Sequence, residues 1–202
     1  MIEQKAMYKI TYGLFVVTTK DGEKDNGCIV NTVAMITDTP KRITVYLNKS
    51  SYTEELIRKT GVFNVSILTE KTPFDTFKRF GFQSGRDVDK FEKDEYPRSE
   101  NGLYYLPDVA NAFLSAKVID AYDYDTHTLF VAEVTEASLL SSEKSVTYEY
   151  YQNEIKPKPQ AKVEEKKEKW VCSVCGYEHE GPLPDDFICP WCNHPASDFE
   201  KV

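Results

Sequence analysis

Four of the five cysteines form two pairs near the C-terminus, and their types and spacing suit metal chemistry. Cys172 and Cys175 enclose two residues, as do Cys189 and Cys192, and 13 residues separate the two pairs. Two such turns can fold toward each other and present four thiolates tetrahedrally to zinc or iron. Two unrelated redox-active pairs are the alternative, but spaced pairs of this kind favour a metal site. The spacing therefore predicts a metal centre.

Residues 169–202, which surround these cysteines, resemble rubredoxin. The first pair continues as Cys-Gly-Tyr and the second reads Cys-Pro-x-Cys. The resemblance implies one iron ion, a one-electron carrier, bound by Cys172, Cys175, Cys189 and Cys192. Zinc in the same four thiolates is the main alternative. A segment this short has little core, so metal binding is expected to supply folding free energy. A small aromatic core beside the metal is expected from Trp170, Tyr177, Phe187, Trp191 and Phe199.

The segment departs from rubredoxin in two ways. The interval between the cysteine pairs is short, as in the rubredoxin-like tails of rubrerythrins. Asn193 follows the second pair, where the family usually has glycine. Glycine there permits a left-handed backbone, and asparagine is among the best-tolerated substitutes at positive φ. We therefore expect the turn to form with Asn193. His179 and His194 lie nearby and are expected to be surface residues, because four thiolates complete the ligand set.

Two clusters of small polar residues lie at the ends of predicted strands in the larger N-terminal part. The first enters a strand, and the second leaves a strand and opens a helix. A helix N-terminus with nearby hydroxyl groups and a lysine suits a phosphate monoester. Taken alone, each cluster is also typical of a polar loop with a helix cap. The clusters are Asn26, Gly27, Cys28, Ile29, Val30, Asn31 and Thr32, and then Asn48, Lys49, Ser50, Ser51, Tyr52 and Thr53.

Residues 8–137 resemble the flavin reductase-like family, the FMN-binding split barrels. The matching stretches are YGLFVVTTKDGEKDNGCIVNTVAMIT, VYLNKSSYTEELIRKTGVFNVSIL, FGFQSGRDVDKF and THTLFVAEV. The resemblance implies that both polar clusters line an FMN site and that two chains form a homodimer. It also implies that three residues of FGFQSGRD close over the cofactor. The implied phosphate and ribityl contacts are Asn31, Thr32, Lys49, Ser50 and Thr53, and the closing residues are Ser84, Gly85 and Arg86.

Two further residues of this region bear on the chemistry. His127 matches a histidine that lies near the flavin and the nicotinamide in this family, so it is the candidate catalytic residue; a purely structural role is the alternative. Cys28, the fifth cysteine, follows a glycine in a predicted strand. It is expected to be a small buried apolar residue. A reactive thiol near the flavin is the alternative for Cys28.

The elements that must position these residues are mostly strands. Alternation of β-branched and polar residues predicts half-buried strands, and two helices are predicted where capping residues precede them. The fold is therefore expected to be mainly β, a β-barrel with short helices, and the two resemblances imply that it is a split β-barrel plus a small rubredoxin-like metal-knuckle domain. Predicted strands cover 14–19, 28–36, 43–47, 63–67, 115–122 and 128–137. Predicted helices cover 51–59, with a capping box from Ser51 to Glu54, and 72–80, with Thr72 as N-cap.

Composition divides the chain into three parts and excludes some classes of partner. Residues 1–151 are expected to form the flavin domain, 152–168 a flexible linker rich in lysine, glutamate and proline, and 169–202 the rubredoxin-like domain. With 25 basic and 33 acidic residues, the net charge is −8, which argues against nucleic acid as a partner. We find no apolar run of membrane-spanning length and no secretory signal, so a cytoplasmic location is expected.

Together these parts indicate an electron-transfer flavoprotein. The resemblance implies an NAD(P)H:rubredoxin oxidoreductase fused to its own rubredoxin, similar to the high-molecular-weight rubredoxins. Electrons would pass from NAD(P)H through FMN to the iron and then to a redox protein, such as a flavodiiron protein that reduces O₂ or NO in an anaerobe. The alternative is a flavin or ferric reductase whose tail is a zinc-ribbon docking module.

Overall fold

A computed structural model of the protein describes residues 2–7, 9–22, 24–92, 95–158 and 168–202. It contains two compact units, 1–157 and 158–202. Seven antiparallel strands form one sheet in the first unit, in the order β2-β1-β5-β6-β7-β4-β3. The strands are β1 (Phe15–Asp21), β2 (Lys24–Val30), β3 (Ala34–Thr37), β4 (Arg42–Asn48), β5 (Val62–Leu68), β6 (Ala110–Asp123) and β7 (His127–Leu139).

Within the residues that the structure describes, four α-helices and one π-helix accompany this sheet, and the second unit has three short strands. The helices are α1 (Gln4–Met7), α2 (Tyr52–Thr60), α3 (Phe74–Gly81) and α4 (Tyr148–Tyr150), and the π-helix covers Tyr151–Ile155. In the second unit, β8 (Lys169–Cys172) pairs with β9 (Glu178–Glu180) and β10 (Phe199–Lys201). The expected class, mainly β with short helices and a small four-cysteine unit, is confirmed. No helix in the described ranges is both long and apolar enough to cross a membrane.

The barrel core follows from the alternation of residues along the strands. Ile43, Val45 and Leu47 of β4 point into one apolar cluster with Phe63 and Val65 of β5. The prediction that β5 is buried on one face only is wrong. Its polar face is also buried. Asn64 on that face donates hydrogen bonds to Ser99 Oγ at 2.7 Å and to the Leu103 carbonyl at 3.0 Å. The irregular segment after α3 therefore covers that face of the strand.

The predicted strand over 28–36 is interrupted. Residues up to Val30 belong to β2, and Ala34 begins β3. These two strands lie at opposite ends of the seven-stranded order, so residues 31–33 connect the two edges of the sheet. A continuous strand could not reach both edges. Asn31 and Thr32, two residues of the first polar cluster, thus lie in the connection between the two edge strands.

Both predicted helices form, but their caps differ from the prediction. Within the described residues, the Ser51 side chain makes no hydrogen bond to the start of α2, and Glu54 turns instead to Arg58. The expected capping box is therefore wrong. The N-cap of α3 is Pro73 rather than Thr72. The Thr72 hydroxyl is used elsewhere, because it accepts from the Thr69 amide at 3.1 Å and donates to the Val109 carbonyl at 2.9 Å.

A second apolar cluster lies between the sheet and the C-terminal residues of the first unit. Phe77 of α3 packs 4.5 Å, centroid to centroid, from Tyr151 of the π-helix. The predicted domain boundary after residue 151 falls within this π-helix, and Ile155 packs against the same cluster. Of the linker predicted over 152–168, residues 159–167 lie outside the described residues.

Candidate functional sites

The four paired cysteines converge on one point. Their sulfur atoms all lie within 4.8 Å of one another, with Cys172 3.7 Å from Cys192 and Cys175 3.5 Å from Cys189. A tetrahedral ion with metal–sulfur bonds of about 2.3 Å requires sulfur–sulfur distances of about 3.8 Å. The spacing thus fits a bound ion and is far longer than a disulfide. The donor set, four thiolates, fits iron or zinc.

Each cysteine pair is folded into the same tight turn. The Gly176 amide donates to the Cys172 carbonyl at 2.8 Å, and the Asn193 amide donates to the Cys189 carbonyl at 2.8 Å. Gly176 has φ +75° and Asn193 has φ +57°, so the turn requires a left-handed residue in both places. The expectation that asparagine replaces glycine in this conformation is confirmed.

Backbone amides and aromatic rings surround the metal centre. The amides of Tyr177, Trp191 and His194 donate hydrogen bonds to the sulfurs of Cys175, Cys189 and Cys192, respectively. Such bonds stabilise the negative charge of thiolates and tune the potential of an iron centre. Cys172 and Cys189 are buried, whereas Cys175 and Cys192 are partly exposed. The predicted aromatic core packs beside them: Trp170, Tyr177, Phe187 and Phe199 lie in one cluster, and Trp191 contacts Tyr177.

A cavity of about 460 Å³ opens in the first unit, where both predicted polar clusters meet. This volume lies within the range of small-molecule and cofactor pockets. Its walls come from three segments: the connection between β2 and β3, the turn between β4 and α2, and the segment after α3. Twelve of the sixteen predicted cofactor-binding residues line it: Cys28, Ile29, Val30, Asn31, Thr32, Asn48, Ser50, Ser51, Tyr52, Thr53, Ser84 and Gly85.

The N-terminus of α2 faces this cavity. Within the described residues, no side chain caps the helix at Ser51, so the first-turn amides keep their partial positive charge. Asn48 Oδ1 accepts from the Ser50 amide at 2.9 Å and from the Ser50 hydroxyl at 2.8 Å, which fixes the turn that precedes the helix. An uncapped helix end beside hydroxyl groups can bind a phosphate.

Four predicted residues do not line the cavity. Lys49 Nζ lies 4.0 Å from Asp123 Oδ1. Arg86 pairs with Glu55 at 2.5 Å and lies over the ring of Tyr52. Asn26 and Gly27 lie behind the wall. Asn26 donates to Thr53 Oγ1 at 2.9 Å, and Gly27 offers its carbonyl to a buried lysine. These residues support the wall rather than form it.

The side chain of Asn26 lies so close to the backbone at position 85 that only glycine fits there. A Cβ built on Gly85 would lie 1.9 Å from Asn26 Oδ1, a distance that atoms never adopt. That oxygen is buried without a hydrogen-bond partner among the described residues. The backbone at Gly85 therefore closes tightly onto Asn26, and Lys24 Nζ holds it there through the Gly85 carbonyl at 2.8 Å.

The sequence did not predict seven of the lining residues. The most consequential is Lys90, which is only 6% exposed. Its ammonium donates to the carbonyls of Gly27 at 2.8 Å and Phe80 at 3.5 Å, and burial lowers its pKa. An ammonium has three donors, so this cation retains hydrogen-bonding capacity toward the cavity. The other unpredicted lining residues are Tyr46, Leu47, Phe80, Gly81, Phe82 and Gln83.

His127 and Cys28 both line the cavity. His127 is exposed at the first position of β7, where its Nδ1 lies 2.8 Å from Thr126 Oγ1. Cys28 is half-buried rather than fully buried, and it packs against the barrel core. Burial raises the pKa of the Cys28 thiol, so the neutral form is favoured at neutral pH. A neutral thiol is a poor nucleophile.

Family models match both units of the chain. The model described as flavin reductase like domain matches residues 7–158. The model described as rubrerythrin, rubredoxin-like domain, matches residues 170–200.

Individual proteins match either the whole chain or a large part of it. A high molecular weight rubredoxin of Moorella thermoacetica is 34% identical, and the match covers 100% of both chains. A ferric-chelate reductase (NAD(P)H) of Archaeoglobus fulgidus is 37% identical over 74% of this chain and 89% of that protein. Among solved structures, an NADH:FAD oxidoreductase of Streptomyces globisporus superimposes with a TM-score of 0.63 at 20% identity, over 71% of this chain and 85% of the other. This last likeness concerns the fold alone.

Proposed function

Because the chain belongs to the flavin reductase-like domain family and ends in a rubredoxin-like domain, we propose that it transfers electrons from NAD(P)H to a redox protein. FMN in the barrel cavity and one iron ion at the four cysteines would be its cofactors. When bound, FMN can accept two electrons and release them singly, and the iron can carry one electron at a time. The carrying observation is that one chain holds both a cavity lined by the predicted flavin residues and a tetrahedral four-sulfur site.

The chain's own residues suit the two ends of FMN. The N-terminus of α2, with Ser50 and Ser51, supports the phosphate through first-turn amides and hydroxyl groups. Residues 28–32 and 80–85, with Lys90, support the ring end. His127 lines the same cavity and is exposed, so it is positioned to contact the nicotinamide. We propose His127 as the catalytic residue and the twelve predicted cofactor-binding residues that line the cavity as the FMN site.

An anaerobic visible spectrum of the purified protein tests this proposal. We expect overlapping flavin and ferric-thiolate bands, and both should bleach when two equivalents of NADH or NADPH are added, because the two cofactors together take three electrons and each NAD(P)H supplies two. Metal analysis should give one iron per chain. A flavin that bleaches while the iron stays oxidised would contradict electron transfer between the cofactors. A colourless tail with bound zinc would instead favour a flavin reductase with a docking module.

The final acceptor is part of the proposal. We propose a cytoplasmic redox protein such as a flavodiiron O₂ or NO reductase, since a one-electron iron carrier suits a protein acceptor. A ferric chelate is the second candidate, because the ferric-chelate reductase shares 37% identity with the barrel part of this chain. Reduction of a ferric chelate that survives loss of the iron centre would identify the flavin as its direct donor.

We also propose that the chain is a homodimer. All four residues of the edge strand β3 are exposed, and Met35 is 70% exposed. An exposed apolar edge strand favours pairing with another chain. Light scattering should give about twice the chain mass of 23.2 kDa. A Met35→Lys variant should shift the population toward the monomer, and an unchanged dimer would place the contact elsewhere.

Replacing Gly85 should weaken FMN binding. In Gly85→Ala the new methyl group would overlap Asn26 Oδ1, so the segment over 82–85 must move away from the wall. We expect the dissociation constant of FMN to rise by about tenfold, a loss of about 1.4 kcal/mol. Fluorescence titration of the apoprotein with FMN measures this.

Gly81→Ala is the matched variant for this test. It adds the same methyl group to the same cavity, but its Cβ would lie 3.6 Å from Ile29 Cγ1, an ordinary contact. We expect a much smaller change in FMN affinity. Equal losses in the two variants would show that the close approach of Gly85 to Asn26 does not matter for binding.

A further inference from the structure

Four side chains join helix α2 to the hairpin between β6 and β7. We call them the Arg58 clamp: Glu54 and Arg58 on the helix, Asp123 at the end of β6 and Thr128 on β7. Arg58 Nη2 lies 2.8 Å from Glu54 Oε1, 2.6 Å from Asp123 Oδ1 and 2.8 Å from Thr128 Oγ1. Arg58 Nε donates a further bond to Glu54 at 3.1 Å. The Arg58 guanidinium thus binds both helix α2 and the hairpin between β6 and β7.

The clamp is well shielded where it meets the helix. Glu54 is 4% exposed and Thr128 is fully buried. The Thr128 hydroxyl lies 2.7 Å from Glu54 Oε1 and 3.0 Å from Asp123 Oδ1, so it can donate to either carboxylate. Arg58 holds the pKa of the Asp123 carboxyl below its usual range. Loss of the Arg58 guanidinium would leave the buried Glu54 carboxylate with an uncompensated desolvation cost, so the contacts of the clamp are strongly coupled.

Both elements that the clamp joins line the cavity. The first turn of α2 supplies Ser51, Tyr52 and Thr53. The hairpin supplies His127, which is paired in register with Asn48 shortly before α2, and Thr128 follows it in β7. Asp123 and Thr128 are also paired in register, so the clamp holds the turn end of the hairpin, where His127 lies.

We propose that Arg58 is a positioning residue: its contacts with Glu54, Asp123 and Thr128 fix the position of the α2 N-terminus relative to His127 in the cavity wall. Arg58 does not line the cavity and acts through its neighbours. This inference rests on the proposed function, in which His127 contacts the nicotinamide. A displacement of about 1 Å at a reacting group can slow a reaction by about a hundredfold.

The test measures the rate of flavin reduction by NAD(P)H in the holoprotein under anaerobic stopped-flow conditions. We expect Arg58→Gln to slow reduction at saturating NAD(P)H by about tenfold or more. Arg58→Lys should restore part of the rate, because it keeps the charge but lacks the planar fork. Lys59→Gln is the control. It removes a neighbouring exposed cation that pairs with Asp21 outside the clamp, and its rate should match the original protein.

Three outcomes separate the possibilities. A role in stability alone would lower the Tm of Arg58→Gln but leave the limiting rate within about twofold of the original protein, and this would overturn the inference. If Arg58→Gln does not fold, Thr128→Val decides in its place, because it removes one hydroxyl with little change of shape. If His127→Ala leaves the rate unchanged, the catalytic role proposed for His127 fails, and a slow Arg58→Gln would then have another cause.

Discussion

A Cys189→Ser variant is expected to lose the iron bands and the reduction of the protein acceptor, while NAD(P)H still reduces the bound flavin. Cys189 is fully buried at the centre of the small aromatic cluster, and its sulfur lies 3.5 Å from that of Cys175. A serine hydroxyl is a poor ligand for iron at neutral pH because it remains protonated. We expect the rate of acceptor reduction to fall by at least about a hundredfold, since loss of the iron also removes the folding free energy that metal binding is expected to supply to the tail.

The flavin domain should be unaffected because its core is separate. Its two apolar clusters lie wholly within residues 1–157. Visible spectra and iron analysis report on the metal centre, and stopped-flow reduction by NAD(P)H reports independently on the flavin domain. Cys28→Ser is the control for the thiol content, and it should keep the iron bands because Cys28 lies outside the metal centre. Acceptor reduction at the original rate in Cys189→Ser would exclude the iron centre from the electron route.

The metal centre could be predicted from the sequence because its geometry is local. Each pair of cysteines lies within one turn, and each turn is closed by a hydrogen bond between residues four apart, from Gly176 to Cys172 and from Asn193 to Cys189. Spacing and residue type therefore determine the ligand positions. The left-handed conformation of Asn193 could be predicted for the same reason.

The cavity was predicted only where its wall is formed by ends of regular elements. The two polar clusters lie beside strands and a helix, whose periodicity the sequence reveals. Lys90 lies in an irregular stretch, and its neighbours Gly27 and Phe80 are 63 and 10 residues away. Nothing in the local pattern distinguishes such a buried lysine from a surface lysine. The only available signal was its position within FGFQSGRDVDKF, the stretch that carries the family resemblance.

The capping box shows a different reason for a wrong prediction. Ser51 and Glu54 have the right types and spacing, and local chemistry alone would pair each with the backbone of α2. Long-range contacts compete with that arrangement. Glu54 instead binds Arg58 and Thr128, 74 residues away, and this network buries its carboxylate. A charged network at a distance thus leaves the helix end uncapped and open toward the cavity.

Lys90 gives the second large expected effect, and its physical basis is the burial of a charge. Among the described residues, the hydrogen-bond partners of its ammonium are backbone carbonyls. Burial lowers the pKa of Lys90 from the ordinary value of 10.5. Between the lowered pKa and 10.5 the unfolded chain binds more protons than the folded chain, so the stability of the apoprotein rises with pH across that window. At neutral pH the buried cation therefore destabilises the fold.

Lys90→Met should consequently have opposite effects on stability and on flavin binding. The Tm of the apoprotein is expected to rise at pH 7, because a linear apolar side chain replaces a desolvated ammonium of similar length. Affinity for reduced FMN is expected to fall by about tenfold to a hundredfold, since reduction would add negative charge to the ring, which the proposed function places beside this cation. Affinity for oxidised FMN should change less. The reduction potential of the bound flavin should therefore fall by about 30–60 mV for the two-electron couple.

Lys41→Met separates this local effect from a change in net charge. Lys41 is exposed and pairs with Asp38. Its replacement by methionine removes the same formal charge as the Lys90→Met substitution. It should leave both the Tm and the flavin potential close to their original values. A Lys90→Met protein that binds oxidised and reduced FMN with unchanged affinities would show that the ammonium does not face the flavin. A lower Tm would show that its bonds to the Gly27 and Phe80 carbonyls outweigh the desolvation of its charge. A higher Tm of the apoprotein together with a lower affinity for reduced FMN is expected only if the fold tolerates the buried cation because a bound flavin stabilises it.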